Sequence, residues 1–235
     1  MLSLDKGNLP LFRFLGVNVY LHWTWFVLAA YSIMERRQDY LELFYAVAEV
    51  LALFGIVLLH EYGHALACRQ SGGSADRIVL WPLGGVAFVR PVHRPGALLW
   101  SIAAGPLVNL VLAPCTWLFM RWAEQVAVAA GSPDLPRYGE AVFYINTALL
   151  LFNLLPVYPL DGGQILQALL WLGLGYARSL YAAALLGLLG VVALVVISQV
   201  LNPGSLWMVI LAVFLGTRCW QSFQFARGLL AAERR

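Results

Sequence analysis

The sequence predicts an all-α polytopic membrane protein of about six transmembrane helices, with a small re-entrant β-hairpin between the second and third. Three observations predict it. The 235-residue chain is 61% hydrophobic and only 11% charged, against roughly 45–50% and about 25% in a soluble domain. Its mean hydropathy is +0.76, and so few charges cannot clothe a water-exposed surface. Six apolar stretches approach the ~20 residues that cross ~30 Å of hydrocarbon.

The spans are expected at about 19–34, 43–69, 97–120, 141–160, 178–200 and 205–222. The first is short and carries Trp23, Trp25 and Tyr31, residues suited to a membrane interface. The second is a long apolar run from Leu43. Between the second and third, Ser71-Gly72-Gly73 stops the helix. Two β-prone runs follow, Arg77–Pro82 and Val86–Val89, separated by Leu83-Gly84-Gly85. They predict the hairpin, with Pro82 at an edge position. The fourth span is broken by Pro156 and Pro159 and resumes from about Gly162 to Leu172. Broken helices at membrane depth occur where they are buried in protein or line a cavity.

Length corresponds to one domain, so residues 1–235 are read as a single integral-membrane domain. The start, to Gly16, lacks a signal-peptide pattern, and no cleavage is expected. Placing both termini in the cytoplasm puts eleven of the fifteen Lys and Arg on that side, leaving Arg36, Arg37, Arg121 and Arg137 opposite. The layout suits a prokaryotic plasma membrane. Net charge is only +3 and no basic tract points to a nucleic-acid partner. Cys68, Cys115 and Cys219 form neither a CxxC nor a disulfide framework.

The chemistry concentrates at His60-Glu61-Tyr62-Gly63-His64, inside the second span. H-E-x-x-H puts two imidazoles on one helix face, able to hold one zinc ion, with a carboxylate between them as general base. Ionisable groups at membrane depth cost roughly 2.5–3.5 kcal/mol each and mark function. Glu61 is offset from His60 by about 100° around the helix. It is better placed to take a proton from water than to bind the metal.

A catalytic zinc needs a third protein ligand. At ~1.5 Å per residue, His60 and His64 lie roughly 14 and 8 Å below the cytoplasmic end of their span. The fourth span runs the same way, so its interruption, Asn153 to Gly163, reaches a similar depth. Asp161 is the carboxylate there. Its alternative role is a solvated helix N-cap, and Cys68, four residues past His64, is a rival ligand. Asn153 carries an amide able to bond a peptide carbonyl or a developing oxyanion; interhelical hydrogen bonding is the alternative. Asn109 raises the same question, although Ala103-Ala104-Gly105 reads as a close helix contact. His22 reads as an interfacial anchor and His93 as a solvated loop residue.

Three patterns together resemble the site-2 protease family of intramembrane zinc metalloproteases. They are His60-Glu61-Tyr62-Gly63-His64, Ala104-Gly105-Pro106-Leu107-Val108-Asn109, and Asn153-Leu154-Leu155-Pro156-Val157-Tyr158-Pro159-Leu160-Asp161-Gly162-Gly163. The resemblance covers a three-helix catalytic core of about 43–172. It implies one Zn²⁺ per chain on His60, His64 and Asp161, with Glu61 catalytic and Asn153 on the substrate. It implies cleavage of transmembrane segments of other proteins, in the bilayer. The chain departs from many relatives in lacking a PDZ insertion and a C-terminal CBS domain. A transmembrane substrate must unwind before its carbonyls are accessible, and an exposed strand edge at 77–90 offers capture by β-addition. Rival readings are a zinc hydrolase of non-peptide substrates, a metal transporter or a non-catalytic binding protein. The chain shows neither the repeated ligand sets nor the inverted repeat of a transporter.

Overall fold

The computed structural model describes residues 7–82, 84–201 and 206–233. Lys6, Arg234 and Arg235 of the charge count, Leu83 of the expected turn and residue 205 of the sixth expected span lie outside them. The elements in chain order are β1 (Asn8–Phe14), β2 (Val17–His22), α1 (Thr24–Arg36), α2 (Leu43–Gln70), β3 (Ser74–Trp81), β4 (Gly84–Arg90), α3 (Pro95–Ala130), α4 (Asp134–Asn153), α5 (Asp161–Leu174), α6 (Tyr176–Leu201) and α7 (Leu206–Ala232). They form two compact units, Met1–Val92 with Ala104–Leu151, and His93–Ala103 with Phe152–Arg235.

The first unit contains a four-stranded sheet in the order β1-β2-β3-β4. β1 and β2 are antiparallel, β2 and β3 parallel, and β3 and β4 antiparallel. The expected hairpin is therefore present as β3–β4, but it is half of a larger sheet. The all-α expectation is corrected accordingly. Pro82 lies in the β3–β4 connection, outside the ladder, so it does not occupy an edge position.

The first expected span is also corrected. Its beginning is strand β2, where Val17, Val19 and Leu21 are buried and alternate with less buried Asn18, Tyr20 and His22. That alternation is the period of a strand. The helix that follows, α1, has 13 residues, or about 20 Å of rise, short of the ~30 Å core. β1 and β2 are joined through Leu15 and Gly16, with φ of 49° and 78°. Positive φ at both central residues is the two-residue hairpin turn that fits strand twist. Leu is an unusual residue there, costing roughly 1–2 kcal/mol, so the sequence carried no Asn-Gly signal.

Three helices are long and apolar enough to cross a membrane: α2, α3 over Pro95–Ala127, and α6. The structure does not add three more by the same measure among the described residues. Leu51 and Leu59 on α2, Leu110, Val111 and Leu118 on α3, and Leu189, Val192 and Val196 on α6 are exposed. Such outward apolar surface suits lipid contact, and the chain is an integral membrane protein.

The first unit's core joins sheet to helix. Val17, Val19, Leu21, Ile78 and Leu80 pack with Trp25, Val50, Val57, Tyr62 and Ala65. Glu49 is a second carboxylate inside α2. It is 7% exposed and accepts hydrogen bonds from Arg36 Nε and the Tyr40 hydroxyl, each at 2.7 Å. Burial, reinforced by the bond to Glu49, pushes the Tyr40 hydroxyl pKa well up from its ordinary value. In the second unit, Val157, Val191, Leu215 and Cys219 form the core, and the Cys219 thiol donates to the Tyr158 carbonyl.

Gly63 marks where α2 and the Ala104–Val108 stretch of α3 nearly touch. A Cβ there would lie 2.6 Å from the Ala104 carbonyl oxygen and 2.9 Å from Val108 Cγ2. Because the first obstacle is backbone, Gly63→Ala is expected to destabilise the protein by about 1–3 kcal/mol. Thermal unfolding in detergent measures it; an unchanged midpoint contradicts the close approach.

Candidate metal centre

His60, Glu61 and His64 sit in the buried middle of α2, at 3%, 6% and 6% exposure. The i, i+4 spacing stacks the two imidazoles one turn apart on one face. Their Nε2 atoms are 3.1 Å apart, with ring planes at 86°. Two nitrogens sharing a tetrahedral zinc at ~2.0–2.1 Å stand about 3.3 Å from one another, so the pair is close to ligand geometry. A Cβ on Gly105 would fall 2.3 Å from His64 Nε2 and 2.9 Å from His60 Cε1. Only glycine lets α3 lie flush on both rings.

The orientation of His60 is fixed by a chain of buried amides. His60 Nδ1 lies 2.6 Å from Asn109 Oδ1. Asn109 Nδ2 donates to Asn146 Oδ1 at 2.9 Å, and Asn146 Nδ2 donates to the Asn109 backbone carbonyl at 3.0 Å. Both asparagines are fully buried. The chain runs one way. A backbone carbonyl only accepts, so Asn146 must present its NH₂ there and its oxygen to Asn109. Asn109 then presents its oxygen to His60. The proton on His60 is therefore at Nδ1, and the lone pair is at Nε2, facing His64.

Asp161 is the first residue of α5 and is buried, at 7% exposure. The N-cap position belongs to Leu160, so the solvated-cap alternative does not describe it. The chain reaches it through an irregular stretch after Asn153, where Val157 N–H donates to the Leu155 carbonyl and Leu160 N–H to that of Val157, at 2.7 and 2.8 Å. Gly162 and Gly163 follow because any Cβ on them would meet backbone, Leu154 O at 2.3 Å and Tyr158 N at 2.4 Å. His60 and His64 each present a buried imidazole, and Asp161 a buried carboxylate. Two imidazole nitrogens and a carboxylate oxygen are a donor set that catalytic zinc takes.

The other predicted residues fall elsewhere. Cys68 is buried, but its thiol donates to the Ser74 carbonyl at 3.5 Å. Glu61 Oε2 accepts from the Ala87 N–H at 2.7 Å. Asn153 ends α4, half-buried. His22 Nδ1 is 2.6 Å from Thr24 Oγ1. His93 is exposed in a loop, as expected, with its ring 4.6 Å from Trp171 and 4.8 Å from Tyr176. Sequence reasoning left Asn109 as a helix contact and did not single out Asn146. The available signal was two lone amides inside apolar spans.

A family model described as Peptidase family M50 matches residues 48–132 and 125–197. The chain belongs to peptidase family M50. A zinc metalloprotease of Methanocaldococcus jannaschii is 32% identical over 188 residues, covering 77% of this M50 chain and 50% of the relative. Stage IV sporulation protein FB of Bacillus subtilis is 35% identical over 122 residues, covering 50% of this chain and 38% of the relative. The chain thus spans half or less of the length of these two relatives. The structure of a site-2 protease from M. jannaschii superposes with a TM-score of 0.63 at 24% identity, over 92% of this chain and 95% of the other. That likeness is one of fold. Family and relatives support a zinc-dependent metallopeptidase, as the motifs implied.

The amide chain makes a measurable demand. Asn146→Leu is expected to lower zinc affinity 10–100-fold, read by competition with a chelator of known affinity. Asn109→Leu should do the same, and the double variant should be little worse than either single one, because both cut one chain. Wild-type affinity in Asn146→Leu contradicts the tautomer argument.

Proposed function

We propose that this M50 chain is an intramembrane zinc metalloendopeptidase that hydrolyses peptide bonds within transmembrane segments of other membrane proteins, in regulated intramembrane proteolysis. In this reading residues 1–235 work as one integral-membrane metalloprotease domain with a catalytic core of about 43–172. It sits in a prokaryotic plasma membrane, with both termini cytoplasmic. The observation that carries it is the one-way amide chain that leaves the His60 lone pair facing His64, in the same buried turn as Glu61.

His60, His64 and Asp161 hold the zinc ion. When bound, the ion supplies a Lewis acid that brings the deprotonation of water near neutral pH and polarises a carbonyl. The chain's own residues do the rest. Asn109 and Asn146 keep His60 in the ligand tautomer. Glu61 takes a proton from water on a carboxylate oxygen and returns it to the nitrogen of the leaving amine. Asn153 donates its amide to a substrate carbonyl. The burial of the site keeps it from bulk solvent, which strengthens each of these interactions. The β4 edge supports capture of an unwound segment, because an extended chain adds to an open strand by backbone hydrogen bonds.

Glu61→Gln is expected to keep its zinc yet lose cleavage of a labelled single-span peptide by about 10²–10⁴-fold. His60→Ala and Asp161→Asn should lose zinc as well, by elemental analysis. A fully active Glu61→Gln protein overturns the mechanism. Cleavage that survives a chelator overturns the metal's part in it.

A further inference from the structure

Glu61 makes a contact that a base does not need. Its Oε2 accepts the backbone N–H of Ala87 at 2.7 Å. Ala87 stands opposite Ile78 in the β3–β4 ladder. β4 is the terminal strand of the sheet, so among the described residues no strand pairs with its other side. An amide donated to Glu61 is not donated to β3. By antiparallel alternation, the N–H and C=O of Gly85 and Ala87 both face the open side. The carboxylate therefore sits on the row of groups that an added strand would use.

Gly85 makes room for this. A Cβ there would lie 2.2 Å from Glu61 Cγ and 2.6 Å from Oε1. No other residue type lets the carboxylate lie along the edge. β4 runs Gly84-Gly85-Val86-Ala87 at this point, and the two residues beside the buried Glu61, Gly85 and Ala87, are small.

We propose that Glu61 is a latch on the β4 edge, released by the substrate. An extended peptide segment pairing with β4 places its own carbonyl on the Ala87 N–H and displaces Glu61 Oε2. The freed carboxylate is then available to take a proton from water. Before substrate arrives, that lone pair is engaged by the amide, and the edge is capped by a charge that discourages strand pairing with wrong partners. Only a segment already unwound can offer a carbonyl to Ala87, so docking and arming of the base are one event. The occupant is an extended apolar peptide, and the inference rests on the peptidase reading above.

Competition for one N–H is measurable without cleavage. The full chain, zinc-stripped in detergent, is titrated with a fluorescent hexapeptide of alternating Val and Thr. Glu61→Ala should bind it roughly tenfold tighter than wild type, since the peptide no longer displaces a charge-assisted bond. Glu61→Asp, one methylene too short to reach Ala87, should tighten binding as well and guards against misfolding of the first variant. Adding Ala87→Pro to Glu61→Ala should abolish the gain, because the contested N–H is gone. Unchanged or weaker binding in both single variants overturns the latch. The failures are separable. If Glu61→Gln is inactive while Glu61→Ala and Glu61→Asp bind like wild type, the peptidase reading stands and the latch falls. If Glu61→Gln cleaves normally while both single variants bind more tightly, the competition at the edge stands and the assignment of Glu61 as base falls.

Discussion

The structure depends on one acceptor that cannot change its role, the backbone carbonyl of Asn109. Side-chain amides can flip and imidazoles can exchange tautomers, at little cost in water. In a buried apolar bundle each wrong orientation leaves a donor facing a donor, at a cost of about 1–3 kcal/mol. The carbonyl removes the choice. Asn146 must face it with NH₂, Asn109 must follow, and His60 is left with a lone pair on the ring atom that faces His64. The helix that carries the imidazoles supplies their spacing, and two other helices supply the hydrogen-bond partners that orient His60.

Close approach is the second constraint, and glycine is how this chain meets it. Gly63 and Gly105 bring α2 against α3, where side chains would hold them apart. The result is the density of contact that membrane helices need when hydrophobic burial offers no drive for association. Gly85 lets Glu61 lie along a strand edge, and Gly162 and Gly163 fold the first turn of α5 onto the loop before it. The same residue type thus serves helix packing, a carboxylate's position and the entry to a helix.

The spacing of the candidate imidazoles was legible because it is local. H-E-x-x-H is a one-turn pattern, and i, i+4 on a helix leaves little freedom. Asp161 entered as a candidate through a resemblance of motifs, and the structure adds that it is buried at the first position of α5 with Leu160 as the cap. The sheet was half legible. β3 and β4 stand between glycines with β-branched runs. β1 and β2 were missed because apolar residues dominate their average and their turn uses Leu15 at positive φ. The alternation of Val17, Val19 and Leu21 was present to be read, but at six residues it competed with a membrane-length apolar window.

The sequence by itself determined the solvent this chain needs, and it set two imidazoles one turn apart with a carboxylate beside them. Composition and spacing act over short range and do not wait for the fold. Only the tertiary structure decided which nitrogen of His60 carries its proton, that Cys68 turns to the Ser74 carbonyl, and that Glu61 shares a hydrogen bond with β4. Those outcomes join residues 26 to 49 positions apart, or turn on which neighbour a side chain meets first. A hydrogen bond is directional and short, so its partner is fixed only when packing brings two elements within about 3 Å.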